Sequence, residues 1–347
     1  MGTANRGHMR KTLFVAFAMA FGCACSASEV IKSQVITDPV YTKPAKLVDI
    51  GNGQRLNLYC RGSGSPTVIF DSGLGDSAIA WALVQPTVSK TTRACSFDRA
   101  GLGFSDAARR PSTAVNQTED LHALLRAAHI KPPYVLVGHS MAGMNVRVYA
   151  DKYPDEVEGL VVVEGSHEDQ STRSWAIGEP RRKEAWDATI RKLHECVGYA
   201  EKGLVKGTPE YKTCVTAFGI PDPHVSASIN EVQEKYVTTP KWQAANVSED
   251  ENVFYQSADE TRATRKNFGD MPVFVLTHSP YPKTKDETQD IRNQRTLLWE
   301  ELHLEVAAMS TRGVNIIVPN SGHYIPWDHP QVVVDTVLQA VNIARGQ

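Results

Sequence analysis

The chain has no long run of charge of one sign. Its 37 Lys and Arg are interspersed with 39 Asp and Glu over 347 residues, for a formal net charge of −2. Without a basic stripe there is no electrostatic footprint for a phosphate backbone, so nucleic acid is not an expected partner. No internal repeat and no low-complexity segment is present. No CxxC pair and no tight Cys/His cluster occurs, so a structural zinc site is not expected, and no metal or organic cofactor is required by the chemistry read below. Residues 13–21 form an apolar run too short to cross a bilayer as a mature helix. What is there is ample apolar material: 41% hydrophobic residues against 22% charged, with 24 Gly and 19 Pro, the composition of a chain with a substantial core. The length fits two domains or one α/β unit carrying a large insertion.

Arg6, Arg10 and Lys11 precede that apolar run, and the small residues Gly22-Cys23-Ala24-Cys25-Ser26-Ala27-Ser28 follow it. This three-part pattern is that of a secretory signal peptide, which implies a secreted or periplasmic protein. Cleavage is expected near Ala27 or Ser28, with lipidation at Cys23 or Cys25 as the alternative route. Removing residues 1–28 takes away three positive charges and no negative one, moving the net charge from −2 to −5. Cys60, Cys95, Cys196 and Cys214 remain, an even number in a compartment where disulfides survive, and four cysteines allow three pairings.

Residues 47–50 and 56–60 flank the turn Gly51-Asn52-Gly53 and predict a β-hairpin. Short apolar strands then alternate with helical patterns. Strands are expected at 67–70, 94–97, 134–137, 160–163, 273–276 and 314–318. Helices are expected near 79–88, 119–128, 141–152, 292–310 and 331–344. Such alternation predicts a mostly parallel sheet covered by helices on both faces. The 104 residues 167–270 contain no convincing strand. Trp186, Ile190, Leu193 and Val197 share one helical face there, and Thr208-Pro209-Glu210 is a helix start, so this stretch reads as a helical lid. The expected division is a signal peptide at 1–28, a core of 29–166 plus 271–347, and the lid at 167–270.

The apolar strand Val135-Leu136-Val137 runs into Gly138-His139-Ser140-Met141-Ala142-Gly143 and then a helical pattern. A serine at such a tip sits on a strained turn whose neighbours two before and two after must be small, and here they are Gly138 and Ala142. Gly103-Phe104-Ser105-Asp106-Ala107 has similar spacing but follows a glycine-rich loop, so context selects Ser140.

Through this motif, together with Asp71-Ser72-Gly73-Leu74-Gly75, the segment from Asp98 to Asp106 and Ser321-Gly322-His323, the chain resembles the α/β-hydrolase superfamily from about Leu47 onward. The resemblance implies an eight-stranded sheet with a helical cap inserted after the sixth strand. It also makes the second and fourth strands neighbours, and hence pairs Cys60 with Cys95, leaving Cys196 with Cys214 to staple two cap helices. It implies His323 as the base for Ser140. For the acid it leaves a choice. The family's usual place after the seventh strand has no carboxylate before Asp286, with Asp290 beyond, whereas Glu164 ends the sixth strand, as an acid does in haloalkane dehalogenases and resorcylic lactone hydrolases. The backbone N–H groups of Met141 and Leu74 are implied as oxyanion donors. Asp98, Arg99 and Ser105 match a loop that buttresses the site, and are not counted as catalytic. His278, His303 and His329 are expected at the surface or in loops. Trp175, Trp186, Phe218, Trp242 and Tyr255 either line a pocket or pack the insertion.

The resulting expectation is a secreted serine hydrolase acting on a small-molecule carboxylic ester or lactone. A peptidase or amidase of the proline iminopeptidase type, or a ligand-binding protein that kept the fold, are the alternatives.

Overall fold

The computed structural model describes residues 35–177, 181–264, 267–283 and 287–347, with the side chains of 181 and 182 excepted. The expected signal peptide, with Cys23 and Cys25, and Asp286 lie outside the described residues. The strands are β1 (Leu47–Asp49), β2 (Arg55–Arg61), β3 (Thr67–Asp71), β4 (Ala94–Phe97), β5 (Tyr134–His139), β6 (Val157–Val163), β7 (Val273–Ser279) and β8 (Gly313–Pro319). They form one sheet in the order β1-β2-β4-β3-β5-β6-β7-β8. β2 runs antiparallel to β1 and β4, and the remaining neighbours are parallel. This is the eight-stranded, mostly parallel arrangement that the alternating pattern and the resemblance imply.

The helices are α1 (Gln85–Val88), α2 (Ala114–Ala127), α3 (Ala142–Lys152), α4 (Gln170–Ala176), α5 (Arg181–Lys202), α6 (Pro209–Cys214), α7 (Ala227–Val237), α8 (Pro240–Val253), α9 (Gln256–Thr264), α10 (Gln289–Ala307), α11 (Ile325–Asp328) and α12 (Pro330–Ala344). Because successive strand residues face opposite sides, the sheet makes two cores. Leu136, Leu160, Val162 and Val275 meet Leu121, Leu124 and Leu125 of α2 and Val146 of α3 on one face. Val135, Val137, Val161 and Leu276 meet Val333, Val337 and Val341 of α12 on the other. Each of these buried aliphatic side chains contributes roughly 1.5–3 kcal/mol to holding the central strands in place.

Helix α10 runs three residues earlier than expected at both ends, and two other helices differ more. The helix expected near 79–88 is split into a 3-10 turn, Ala78–Trp81, and α1, because Pro86 has no N–H to continue a ladder and fits only a first turn. Helix α2 begins five residues earlier than expected, at Ala114, because the Thr113 hydroxyl caps it by accepting from Asn116 N.

Helices α4 to α9 lie between β6 and β7. Thr208 and Thr239 each cap a helix whose first residue is proline, accepting from Tyr211 N and Trp242 N. The leader joins this region: Ile36 N donates to His224 O at 2.8 Å, Ser226 N donates to Ile36 O at 2.9 Å, and Ile36 bridges Val225. Among the described residues no helix is long and apolar enough to cross a membrane.

Cys60 and Cys95 stand opposite one another on β2 and β4 and are disulfide-bonded, as are Cys196 and Cys214 across α5 and α6. Intact mass under denaturing conditions should therefore rise by about 4 Da on reduction. Replacing Cys196 and Cys214 by Ala should lower unfolding stability by roughly 3 kcal/mol, read by denaturant titration under oxidising conditions.

Candidate active site

At the end of β5 the chain turns sharply, and Ser140 has φ +54°. Such a conformation costs a non-glycine residue roughly 1–3 kcal/mol, and neighbours must hold it. They do: Ser140 N donates to Val163 O at 3.1 Å, and Ser140 O accepts from Gly143 N at 2.9 Å and Ser166 N at 2.8 Å. A Cβ on residue 138 would come within 2.4 Å of the Ala142 carbonyl oxygen, which is why glycine stands there.

His323 lies in the loop after β8. The loop is fastened by Gly322 N donating to Asp328 Oδ2 at 2.7 Å and Ser321 Oγ donating to Val318 O at 2.8 Å. His139 Nε2 donates to the His323 carbonyl at 2.8 Å, so His139 carries the backbone of the other histidine and does not face the serine hydroxyl. Burial, with the charge of His323 adding to it, holds His139 down at about 3 and therefore neutral. These contacts bring His323 Nε2 to 2.9 Å from Ser140 Oγ. The His323 side chain is 46% exposed, which leaves the pair open to a ligand.

Glu164, with φ +51°, ends β6 and is completely buried. Its Oε1 is 3.7 Å from His323 Nδ1. The same carboxylate accepts from His278 N at 2.8 Å, from Trp299 Nε1 at 2.7 Å and from His278 Nδ1. Burial alone would raise this carboxyl, but the His278 hydrogen bond and the facing His323 imidazole outweigh it and hold Glu164 at about 2. Glu164 is thus an anion beside His323, held by two residues that sequence reasoning did not bring to the site. Asp290 is exposed in the first turn of α10.

The surface expectation for two histidines is overturned. His278 is buried against Glu164 because β7 continues three residues past its expected end. His303 is buried between Thr277 Oγ1, at 2.6 Å, and Gly165 O, at 2.9 Å, because it lies on the sheet-facing side of α10.

The N–H groups of Met141 and Leu74 have no hydrogen-bond partner among the described residues. Met141 follows the turn that opens α3, and Leu74 sits in the loop after β3. That loop is shaped by Arg99, which donates to Ser72 O and Gly73 O, each at 2.6 Å, and to Asp71 at 2.8 Å. Glu249 of α8 takes Arg99 Nε at 2.6 Å and Gly75 N at 2.9 Å. Ser105 is buried, donating to Asp98 O at 2.6 Å, while Asp98 accepts from Ala78 N, Phe104 N and Asn57 Nδ2.

A cavity of about 480 Å³ opens at His323. Phe218 and Trp242 line it, whereas Trp175 packs near Tyr255 and Trp186 lies 4.6 Å from Phe254, ring centre to ring centre. His167, Asp169 and Glu305 have ligand-type atoms within 4.8 Å of one another, but Arg262 and Arg173 already pair with the two acids.

A strained serine at the strand–helix turn, a histidine against it and a parallel sheet behind them define an α/β-hydrolase arrangement. The family model described as "alpha/beta hydrolase fold" matches residues 66–201. The chain is 23% identical over 273 residues to the uncharacterized protein YqjL of Bacillus subtilis strain 168, covering 79% of this chain and 82% of that one. Its fold is similar to that of a thermophilic esterase from Thermogutta terrifontis, with TM-score 0.58 and 17% identity over 87% of this chain and 99% of that one. It is also similar to that of the epoxide hydrolase CorEH, with TM-score 0.56 and 19% identity over 84% and 96%. The chain has the α/β-hydrolase fold.

The depressed Glu164 carboxyl has a stability consequence. Its folded value, about 2, lies below its ordinary 4.5, so its contribution is complete above pH 4.5 and is lost as pH falls toward 2. Thermal midpoints measured from pH 7 downward should drop through that window in the native protein, and Glu164→Gln should fall less steeply there.

Proposed function

We propose that the protein is an exported serine hydrolase that cleaves a small-molecule carboxylic ester or lactone through an acyl-enzyme. The observation that carries this reading is the 2.9 Å hydrogen bond between Ser140 Oγ and His323 Nε2 at the end of the sheet. In the first step Ser140 Oγ attacks the carbonyl carbon while His323 Nε2 takes its proton, and Glu164 orients and stabilises the resulting imidazolium. Negative charge on the carbonyl oxygen is taken up by Met141 N–H and Leu74 N–H, each such donor worth roughly 3–4 kcal/mol. The tetrahedral intermediate expels the alcohol, which receives the proton from His323. Water, deprotonated by His323, then attacks the acyl-enzyme and frees the acid and Ser140.

An ester or lactone suits this site better than an epoxide. Serine opening an epoxide leaves an ether, which an activated water does not cleave, whereas acylated serine is an ester that the same water hydrolyses. The two disulfides and the apolar run after Arg10 and Lys11 support export. Helices α4 to α9 act as the lid over the site in this reading, so the acyl and alcohol groups accepted are set largely by that insertion.

A fluorophosphonate probe should form one covalent adduct, on Ser140, read by peptide mass spectrometry; no adduct on folded protein sinks the enzyme reading in favour of a ligand-binding homologue. Ser140→Ala should reduce kcat by roughly three or more orders of magnitude. Glu164→Gln should lose most ester hydrolysis while Asp286→Asn keeps it, and the reverse result moves the acid to the loop after β7. Faster turnover of amides than of matched esters would favour the peptidase alternative.

A further inference from the structure

Beside Ser140 stands an acid that the hydrolytic scheme does not use. Asp76 follows the Gly73-Leu74-Gly75 loop and lines the cavity that opens at His323. Its Oδ2 is buried without a hydrogen-bond partner among the described residues. The carboxylate lies close to the nucleophile: a Cβ placed on Gly73 would sit 3.2 Å from Asp76 Oδ2 and 3.1 Å from Ser140 Cβ. The nearby cation, Arg99, is already committed to Asp71 and Glu249, so the region around Asp76 holds an excess of negative charge.

Two further acids line the cavity, Asp222 paired with His224 Nδ1 at 2.9 Å and Asp328 accepting from Gly322 N at 2.7 Å, and besides His224 and His323 no basic residue is among its lining residues. Its walls are aromatic, built from Phe218, Tyr236, Trp242, Tyr324 and Trp327. Gln233, another lining residue, has a buried Oε1 without a partner among the described residues. Aromatic faces attract a cation through their ring quadrupoles, and an ionised carboxylate beside them adds a full charge. Burial raises Asp76 to about 6 against the opposing charges of Arg99 and His323, so a cation bound beside it would favour its ionised form. An anionic substrate would meet like charge in this cavity.

We propose that this cavity is a cation subsite and that the substrate carries an ammonium group, held between Asp76 and the aromatic wall while its carbonyl is presented to Ser140. The inference deepens the ester-hydrolase reading and rests on it for the carbonyl. The cation itself is bound by Asp76 and the aromatic wall whether or not Ser140 turns it over.

Binding is therefore tested first, on the full mature chain, by calorimetric titration with tetramethylammonium chloride against tert-butanol. The native protein should show saturable binding of the cation only, weakened about tenfold or more in Asp76→Asn. No saturable cation binding by the native protein, or equal binding of the alcohol, overturns the proposal. Turnover is tested with the acetyl thioester of thiocholine and its neutral isostere carrying tert-butyl in place of trimethylammonium. A second pair places the same two groups on the acyl side of a nitrophenyl ester. For one pair or the other, kcat/KM should favour the cation by about tenfold or more, and Asp76→Asn should bring that ratio close to one. Equal rates within both pairs overturn the cation subsite while leaving the hydrolase reading intact. Absence of a fluorophosphonate adduct overturns the hydrolase reading, and the titration still decides the subsite. Should Asp76→Asn fail to fold, the native protein's titration and substrate ratios decide alone.

Discussion

One buried guanidinium organises the mouth of the site. Arg99 leaves the end of β4 and spreads its fork over the loop after β3, donating to two backbone carbonyls there and to Asp71 below. On its other side it meets Glu249, contributed by a helix of the β6–β7 insertion. A planar fork with five donors can satisfy all of these acceptors at once, which the point charge of a lysine cannot. Glu249 in turn holds Gly75 N and accepts from Gln117, which reaches Asn145 on the helix that follows Ser140. The loop bearing Leu74, the insertion and the serine-bearing turn thus share one polar network. A buried charge left unpaired costs several kcal/mol, so the network holds these parts together as a unit.

The acid beside His323 shows a second economy. Glu164 has two imidazoles within its reach, one tightly bonded and one 3.7 Å away. His278 and Trp299 fix the carboxylate where it stands, so its position does not depend on the exposed histidine it faces. His323 can then change protonation while its anionic neighbour stays in place. His139 completes the frame from the opposite side by carrying the His323 backbone through an imidazole that stays neutral.

How much of this was legible in the sequence depends on how local each constraint is. The serine-bearing turn leaves a mark within five residues, because a positive φ and a close carbonyl demand glycine at 138 and a small residue at 142. The sheet was legible for a similar reason: buried parallel strands read as short apolar runs between helices. The loop residue His323 was identifiable from Gly322 before it and the strand preceding it. His278, Trp299 and Glu249 were not, because each acts across more than a hundred residues of chain, and nothing near them in sequence marks the partner. Asp76 was invisible for a different reason. An acid after Gly-Leu-Gly reads as an ordinary solvated loop residue until the fold closes a cavity over it. The helix expected near 79–88 misled because its apolar spacing was real, while Pro86 interrupted the backbone ladder beneath it.

The bridge between Ile36 and Val225 bears on how the molecule is assembled. It joins one of the first described residues of the chain to the middle of the insertion, and Ile36 itself lines the cavity. That wall is a non-local contact, joining segments that lie far apart in the chain. The cavity therefore draws one wall from the start of the described chain and another from the insertion, so a change in the segment around Ile36 acts on the ligand space without touching the strand that leads into Ser140.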